Sequence, residues 1–340
     1  MEIALHAADN SLAFRGDIDM AIMSLIVLSL VEKWKPLREQ SSAGVRADNI
    51  PLAIGAIVFT VLALSLGDAL IKLTSSNFVI WQIFVLRSAI TIPVLLIVMR
   101  VQLRAYWHWP VDLGWTVLRS LLLVCMWISY YLALPHLQLS VAAAAYYTLP
   151  IFITLFSASF VGDSISRFGW IAVFLGFFGV LLILKPSSGD FNWYALLPLV
   201  SAMLYAVSMI LTRTKCSAEH PLILSLALNI VFVVVGGCAT ILINLFASSE
   251  GGGFLFAPWA AMGMTEWSTM VLLATAIFIG SIGTAIAYQN GPSSMVGTFD
   301  FAYVGFAVLW GIFFFSDIPD LTSILGMALI VCAGVLSIRG

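Results

Sequence analysis

From residue 51 onward, the chain is a succession of apolar runs of about 17–23 residues, separated by short polar or Gly/Pro-bearing links. A helix of about 20 residues spans the hydrocarbon core of a bilayer, whereas a strand of a membrane barrel needs only about ten residues of alternating polarity. The continuous runs therefore predict an all-α membrane protein with ten transmembrane helices. The predicted spans are residues 51–73, 78–99, 116–134, 141–161, 168–184, 193–211, 222–243, 269–288, 295–315 and 321–338.

The composition excludes several classes of protein. With 61% hydrophobic and 9% charged residues, the chain is far more apolar than soluble domains, of which about 25% is charged. A formal net charge of −2 leaves no basic excess for nucleic-acid binding. The sequence contains no Gly-Lys-Ser/Thr phosphate loop, no His-Glu-x-x-His and no Gly-x-Ser-x-Gly, and its four cysteines show no C-x-x-C spacing. We therefore expect no catalytic residues, no cofactor and no bound metal.

The first fifty residues differ from the rest of the chain. They are polar and mixed, apart from an apolar stretch at 21–31 that is too short to cross a bilayer. Acidic residues precede this stretch, where a secretory signal would carry basic ones. We interpret residues 1–50 as a cytoplasmic extension with an interfacial helix, or as an extension of the reading frame ahead of Met20.

The basic residues predict the orientation, because Lys and Arg in short loops are retained on the cytoplasmic side. With ten spans and an inside N-terminus, eleven of the 15 basic residues fall inside, three lie within the spans and only Lys185 falls outside. We therefore expect both termini to be cytoplasmic, in a bacterial inner membrane.

The chain also repeats itself. Span 4 ends in Phe-Val-Gly-Asp163 and span 9 in Phe-Phe-Ser-Asp317, and Gly-Val-Leu triplets close spans 5 and 10 at residues 179–181 and 334–336. The two Asp residues lie 154 positions apart, so that five spans recur, and an odd number of spans inverts the second copy. The pattern predicts two inverted five-helix repeats, residues 51–186 and 192–340, an architecture typical of secondary transporters.

The acidic turns after spans 4 and 9 and the Gly-rich spans 5 and 10 resemble the EamA family of the drug/metabolite transporter superfamily. So do the segments Tyr-Leu-Ala-Leu at 131–134 and Leu-Ser-Val-Ala-Ala-Ala-Ala-Tyr-Tyr-Thr-Leu-Pro at 139–150. The family usually has Gly-Glu where this chain has Gly-Asp163 and Ser-Asp317. The resemblance covers residues 51–340.

This resemblance implies a ten-helix basket whose central cavity is lined mainly by spans 1, 3, 4, 6, 8 and 9. It implies secondary active transport of a small metabolite by alternating access, an amino acid or a related amphipathic compound, with export as the favoured direction. The alternatives are uptake of a nucleoside-like vitamin or cofactor, such as riboflavin or S-adenosylmethionine, and a membrane-embedded enzyme. We expect a small-molecule substrate and the lipid bilayer as partners, protons as candidate coupling ions, and a monomer or homodimer.

Charged groups inside the spans are the first candidates for function, because each is costly in a membrane unless it is paired or faces water. Arg87, nine residues into span 2, is either a counter-ion for an Asp or a ligand for a substrate carboxylate. Asp68 and Lys72 share one face of span 1 and can neutralise each other. Alternatively, Asp68 pairs with Arg87 while Lys72 snorkels to the outer surface.

Two further charges complete this set. Arg119 lies near the interfacial residues Trp107, Trp109 and Trp115, and we expect it to snorkel. Asp300, on span 9, has no basic neighbour on its own helix. Such a carboxyl group suits proton coupling or binding of a substrate amine, unless it pairs with a polar group on another span.

Polar and aromatic residues on the predicted cavity spans are the remaining candidates, either as ligand contacts or as packing. They are Tyr130, Tyr131, Tyr146, Tyr147, Tyr288 and Gln289. Pro150, in the middle of span 4, removes a backbone hydrogen bond and is a candidate hinge. Asp317 and Asp320 have a spacing that could in principle hold a divalent ion, but we interpret Asp317 as the repeat partner of Asp163 and Asp320 as a helix cap.

Overall fold

Helices form throughout the part of the chain that the structure describes, and no β-strand occurs there. The structure is a computed structural model that describes residues 49–75, 77–102, 110–161, 167–184, 192–246, 253–300 and 302–337. All of these residues belong to one unit, Asp48–Gly340. The interfacial helix expected at 21–31 lies outside the described residues, and so do Asp163, Lys185, Trp107 and Trp109.

Thirteen α-helices occur in the described residues, with short 3₁₀ turns at Leu134–His136 and Trp193–Ala195 and a π-helical turn at Ser157–Val161. The helices are α1 (Ile50–Thr74), α2 (Ile80–Gln102), α3 (Leu113–Ala133), α4 (Leu139–Tyr146), α5 (Leu149–Phe156), α6 (Arg167–Leu184), α7 (Leu196–Thr214), α8 (Pro221–Phe246), α9 (Gly253–Phe256), α10 (Met264–Asn290), α11 (Ser293–Phe299), α12 (Ala302–Phe315) and α13 (Leu321–Ser337).

Every apolar run predicted from the sequence contains helix. Eight helical stretches of the described residues are long and apolar enough to cross a membrane. The predicted spans 5 and 10 hold shorter apolar helices, Arg167–Gly179 and Leu321–Ala333. Large apolar side chains such as Phe174, Phe178 and Phe313 are more than half exposed on the outer faces of these helices. A surface of this kind is suited to lipid rather than to water.

Spans 4 and 9 are each interrupted by a short break in the helix. Span 4 is broken at Tyr147 and Thr148, between α4 and α5, and span 9 is broken at Asp300, between α11 and α12. In span 4 the break has a direct cause, since Pro150 has no N–H to donate to the carbonyl of Tyr146. In span 9 the break falls at an aspartate, a residue with low helix propensity.

Glycines let several helices approach closely, which is how apolar helices associate in a lipid environment. On α10, a Cβ atom at Gly280 would lie 2.3 Å from Leu64 Cδ2 of α1. On α6, one at Gly179 would lie 2.7 Å from the carbonyl oxygen of Gly326 of α13. On α8, one at Gly236 would lie 3.1 Å from the carbonyl oxygen of Trp81 of α2.

The main packing contacts join helices that are distant in the chain. Helix α1 packs against α10 and α12, and α7 packs against α3 and α5. Helix α2 contacts α8 and α10, α3 also contacts α8, and α6 packs along α13. The polar and aromatic interior lies between these pairs.

Two neighbouring glycines test the close approach of α8 to α2. We expect Gly236→Ala to destabilise the protein by about 1–3 kcal/mol, because the added methyl group meets the Trp81 backbone and Val85. Gly237→Ala is the matched control, since a Cβ there has no neighbour within 4 Å. Thermal unfolding in detergent should show a lower midpoint for the first variant and no decrease for the second. Equal midpoints would contradict the packing.

Candidate functional site

Seven tyrosines converge in the interior, and we call them the tyrosine cluster. Their rings form a connected set, in which Tyr146 lies 5.3 Å from Tyr130, 5.8 Å from Tyr205 and 5.4 Å from Tyr147 between ring centroids. All are buried except Tyr146, which is half-buried. The members are Tyr130 and Tyr131 of α3, Tyr146 and Tyr147 at the end of α4, Tyr205 of α7, Tyr288 of α10 and Tyr303 of α12.

Asp300 lies within this cluster, at the break between α11 and α12, and is 3% exposed. Three tyrosine hydroxyls donate to its carboxylate: Tyr147 to Oδ1 at 3.4 Å, and Tyr205 and Tyr288 to Oδ2 at 3.4 and 3.2 Å. None of the described Lys or Arg side chains lies within ion-pair distance of Asp300. The sequence predicted that Asp300 has no basic partner on its own helix. Among the described residues it has no ion-pair partner on the other helices either.

A second buried carboxylate, Asp68 of α1, is bound on the other side of the cluster. The Tyr303 hydroxyl donates to its Oδ2 and lies 3.0 Å from the Tyr130 hydroxyl. The ring of Tyr303 also stacks on that of Tyr147, with centroids 5.1 Å apart. Since Tyr147 donates to Asp300, Tyr147 and Tyr303 connect the two carboxylates.

Arg87 occupies an aromatic box beside the cluster. Its Nη1 donates to the Tyr131 hydroxyl at 3.0 Å, and its guanidinium carbon lies 4.5 Å from the ring centroid of Phe232 and 5.0 Å from that of Phe84. Arg87 and Asp68 interact electrostatically, as expected of a counter-ion, but they form no direct ion pair. The reason is that α2 places Arg87 against Tyr131 and the surrounding aromatic rings.

Lys72 follows neither of the two predictions for it. Its Nζ lies 3.1 Å from Oδ2 of Asp317 and 4.5 Å from the ring centroid of Phe315. It therefore neither neutralises Asp68 nor extends freely into water. The pair ties α1 to the turn that follows α12, because α1 and α12 pack side by side.

Arg119 does not snorkel, contrary to the prediction. Its side chain is 1% exposed, and its Nε donates to Thr212 Oγ1 of α7 at 2.6 Å. The tight packing of α3 against α7 covers it. Trp115, the described member of the expected aromatic belt, instead lies under Lys215, with Nζ 5.5 Å from its ring centroid.

Gln289 also lies away from the tyrosine cluster. Its Nε2 donates to the backbone carbonyls of Cys216 and Glu219, at 3.2 and 2.6 Å, in the connection between α7 and α8. Its neighbour Tyr288 faces the cluster instead, since consecutive residues of a helix point in directions about 100° apart. Of these two candidates, only Tyr288 therefore belongs to the tyrosine cluster.

Asp317 and Asp320 each interact with neighbouring residues, Asp317 through an ion pair and Asp320 through hydrogen bonds. Asp317 pairs with Lys72, while Asp320 accepts hydrogen bonds from the hydroxyl of Thr322 and the backbone N–H of Ser323 at the start of α13. The helix-cap interpretation of Asp320 is confirmed. Among the described residues, no group of three or more His, Cys, Asp or Glu side chains could hold a metal ion.

Two members of the cluster, Tyr205 and Tyr303, were not among the candidates named from the sequence. Each lies in an apolar run that the family resemblance assigns to the cavity, spans 6 and 9 respectively. A polar aromatic residue inside such a run was the signal that could have identified them. Their contacts with Asp300 and Asp68 depend on the packing of α7 and α12.

Comparison with known proteins shows similarity to one family over part of the chain. Residues 51–185 match the EamA-like transporter family. The resemblance expected from the sequence is confirmed, and the apolar helices make the EamA-like chain a multi-pass membrane protein.

Relatives of this EamA-like chain are named as transporters. The pseudopaline exporter CntI of Pseudomonas aeruginosa is 27% identical over 84% of this chain and 96% of its own length. A riboflavin transporter of Rhizobium johnstonii is 27% identical over 68% of this chain and 71% of its length. An S-adenosylmethionine uptake transporter of Rickettsia bellii is 23% identical over 64% and 69%, respectively.

A crystal structure of another protein has a similar fold. It matches 84% of this chain and 94% of its own chain, with a TM-score of 0.59 and 18% sequence identity. At this identity the likeness concerns the fold alone. The family and the named relatives together indicate a transporter with a small-molecule substrate rather than an enzyme.

A single hydroxyl tests the link between Arg87 and the cluster. We expect Tyr131→Phe to destabilise the protein by about 1–3 kcal/mol, because it removes the hydrogen-bond partner of a buried charged group while keeping the ring. Tyr194→Phe is the control, since that ring stacks on His136 outside the cluster. Thermal unfolding should distinguish the two variants. A Tyr131→Phe midpoint equal to that of the wild type would show that the hydroxyl contributes nothing.

Proposed function

We propose that the protein is a secondary active transporter that moves a small metabolite across the bacterial inner membrane by alternating access. The observation that carries this proposal is the pair of broken helices beside a buried carboxylate. The breaks begin at Tyr147 and Asp300, and Tyr147 donates to Asp300. Discontinuous helices at the interface of two repeats are how many secondary transporters form their substrate sites. Pro150, the second residue of α5 after the first break, is the proposed hinge.

The inverted repeat is part of this proposal, with α1 to α6 forming one copy and α7 to α13 the other. The packing of the helices supports it. In this repeat, spans 1 to 5 correspond to spans 6 to 10 in order. The contact of α1 (span 1) with α10 (span 8) then corresponds to the contact of α7 (span 6) with α3 (span 3). The contacts α1–α12 and α7–α5 correspond in the same way, as do α2–α10 and α8–α3. The pairs α2–α8 and α6–α13 join equivalent helices.

The repeat spacing in the sequence agrees with this correspondence. Asp163 and Asp317 lie 154 positions apart, and the two helix breaks begin at residues 147 and 300. The breaks therefore fall at equivalent positions of the two copies to within one residue. Two equivalent hinges on either side of one site suit a rocking motion between inward-open and outward-open forms.

The driving force in this proposal is an ion gradient, with protons as the candidate coupling ion. The sequence contains no phosphate loop for ATP hydrolysis. The buried carboxyl groups of Asp68 and Asp300 are the candidate proton carriers, because intramembrane acids commonly form proton relays.

The favoured direction is export of an amino acid or a related amphipathic compound. A relative covered over 96% of its length is named as an exporter, which supports this direction. Uptake of riboflavin or S-adenosylmethionine is the second candidate, which the names of other relatives favour. An enzymatic role has less support, because Asp317 and Asp320 already bind neighbouring side chains.

The proposed orientation places both termini in the cytoplasm, because eleven of the twelve basic residues that lie outside the spans fall on that side. A reporter that is active only in the periplasm should be silent when fused after Gly340 and active when inserted near Asp190. The reverse pattern would overturn the orientation. Activity at both positions would mean that the number of spans is wrong.

Transport is tested with the purified protein. Amino acids, riboflavin, S-adenosylmethionine and simple organic amines are screened for ligand-dependent thermal stabilisation, which reaches about 2.7 kcal/mol when the ligand is at 100 times its Kd. Compounds that stabilise the protein should cross proteoliposome membranes saturably, with accumulation that follows an imposed pH gradient and collapses with a protonophore. Liposomes without protein are the control. A ligand that binds but is never moved, or is chemically altered, would contradict the proposal.

A further inference from the structure

The carboxylate of Asp300 is the one charge in the tyrosine cluster that the described residues leave without a cationic partner. Asp68 interacts electrostatically with Arg87, which is bonded to Tyr131. Arg119, the other buried guanidinium, donates from Nε to Thr212. Asp300 has only tyrosine hydroxyls around it. A buried carboxylate is costly without a charged or strong hydrogen-bonding partner.

The hydrogen bonds to Asp300 are long. The three tyrosine oxygens lie 3.2–3.4 Å from its carboxylate oxygens, whereas a hydroxyl bound to a carboxylate usually lies at about 2.5–2.7 Å. The hydroxyls therefore satisfy the carboxylate only weakly. A cation entering the cluster would give Asp300 a stronger interaction than it has in this structure.

The aromatic rings around Asp300 determine which kind of cation fits. The half-buried ring of Tyr146 lies among the rings of Tyr130, Tyr147 and Tyr205, with centroids 5.3–5.8 Å away. Aromatic faces attract ammonium groups and bind their carbon substituents as well. A hard metal ion needs several oxygen ligands, and the described residues offer no cluster of metal-ligating side chains. The combination of rings and one carboxylate thus suits an organic ammonium ion.

A ligand bound at Asp300 would lie beside residues from both proposed repeats. Tyr147 belongs to the break in span 4, Asp300 to the break in span 9, and Tyr205 and Tyr288 to α7 and α10. A cation bound at Asp300 would contact elements from both proposed repeats. Movement at either break would change its surroundings.

We propose that the substrate is an organic cation, an amphipathic metabolite with a protonated or quaternary amine that Asp300 binds within the rings of Tyr146, Tyr147, Tyr205 and Tyr288. This inference rests on the proposed transport function and specifies its substrate class. Asp300 provides the charge, and the rings provide the contact surface for the carbon groups on nitrogen.

The test compares cations with neutral compounds of the same shape. Choline is paired with 3,3-dimethylbutan-1-ol, and tyramine with 4-propylphenol, so that carbon replaces the charged nitrogen. Binding to purified protein is measured by calorimetry, and transport by uptake into proteoliposomes. We expect the wild type to prefer at least one cation over its neutral partner by tenfold or more.

Two variants locate this preference at Asp300. Asp300→Asn should reduce the preference to within about twofold, because it keeps the shape of the side chain and removes its charge. Asp112→Asn is the matched control, since Asp112 is exposed at the start of α3. Tyr288→Phe keeps the carboxylate and removes one donor to it, and it should retain the preference for the cation even where Asp300→Asn does not fold.

The outcomes separate this inference from the transport function. If the screened compounds are transported but no cation is preferred over its neutral partner, the cation inference is wrong and the transport function is retained. The same holds if Asp300→Asn keeps the preference. If the preference for a cation appears in binding but no compound is transported in any gradient, the cation site at Asp300 is retained and the transport function is wrong. Loss of the preference in Asp112→Asn would also overturn the assignment to Asp300.

Discussion

The interior of this protein depends on the satisfaction of buried carboxylates by tyrosine hydroxyls. A carboxylate in a membrane interior is costly, and neither Asp68 nor Asp300 has an ion-pair partner among the described residues. Tyr303 donates to the first, and Tyr147, Tyr205 and Tyr288 donate to the second. The donors to Asp300 come from three different spans. The hydrogen bonds therefore require these spans to converge around one charge.

The outer helix pairs are held together by a different interaction. Apolar helices gain little from the hydrophobic effect in lipid, so close van der Waals contact has to stabilise them. Gly236 brings α8 against α2, and Gly179 brings α6 against α13. These pairs provide a tightly packed frame, while the polar centre contains the two helix breaks. Such a division suits a protein in which the centre changes shape and the frame does not.

The chemistry of the site, rather than the family, bears on the identity of the substrate. The named relatives carry different cargo, namely pseudopaline, riboflavin and S-adenosylmethionine. Similarity to these relatives therefore leaves the cargo open. What this chain adds is one carboxylate without a cationic partner, Asp300, among aromatic rings. In the proposed transporter, its charge is the feature that the substrate complements.

The sequence alone indicated the helical membrane architecture, the resemblance to the EamA family and the candidate acid Asp300, because long apolar runs and a charge inside one of them are local features. It could not determine which groups meet. Lys72 pairs with Asp317, 245 residues away, and Arg119 binds Thr212, 93 residues away. Sequence reasoning also named Asp68 but not Tyr303, although the Tyr303 hydroxyl donates a hydrogen bond to Asp68. Partners of this kind are fixed only when helices distant in the chain pack together, since a side chain in a membrane can satisfy its polar atoms only with the groups that packing brings beside it.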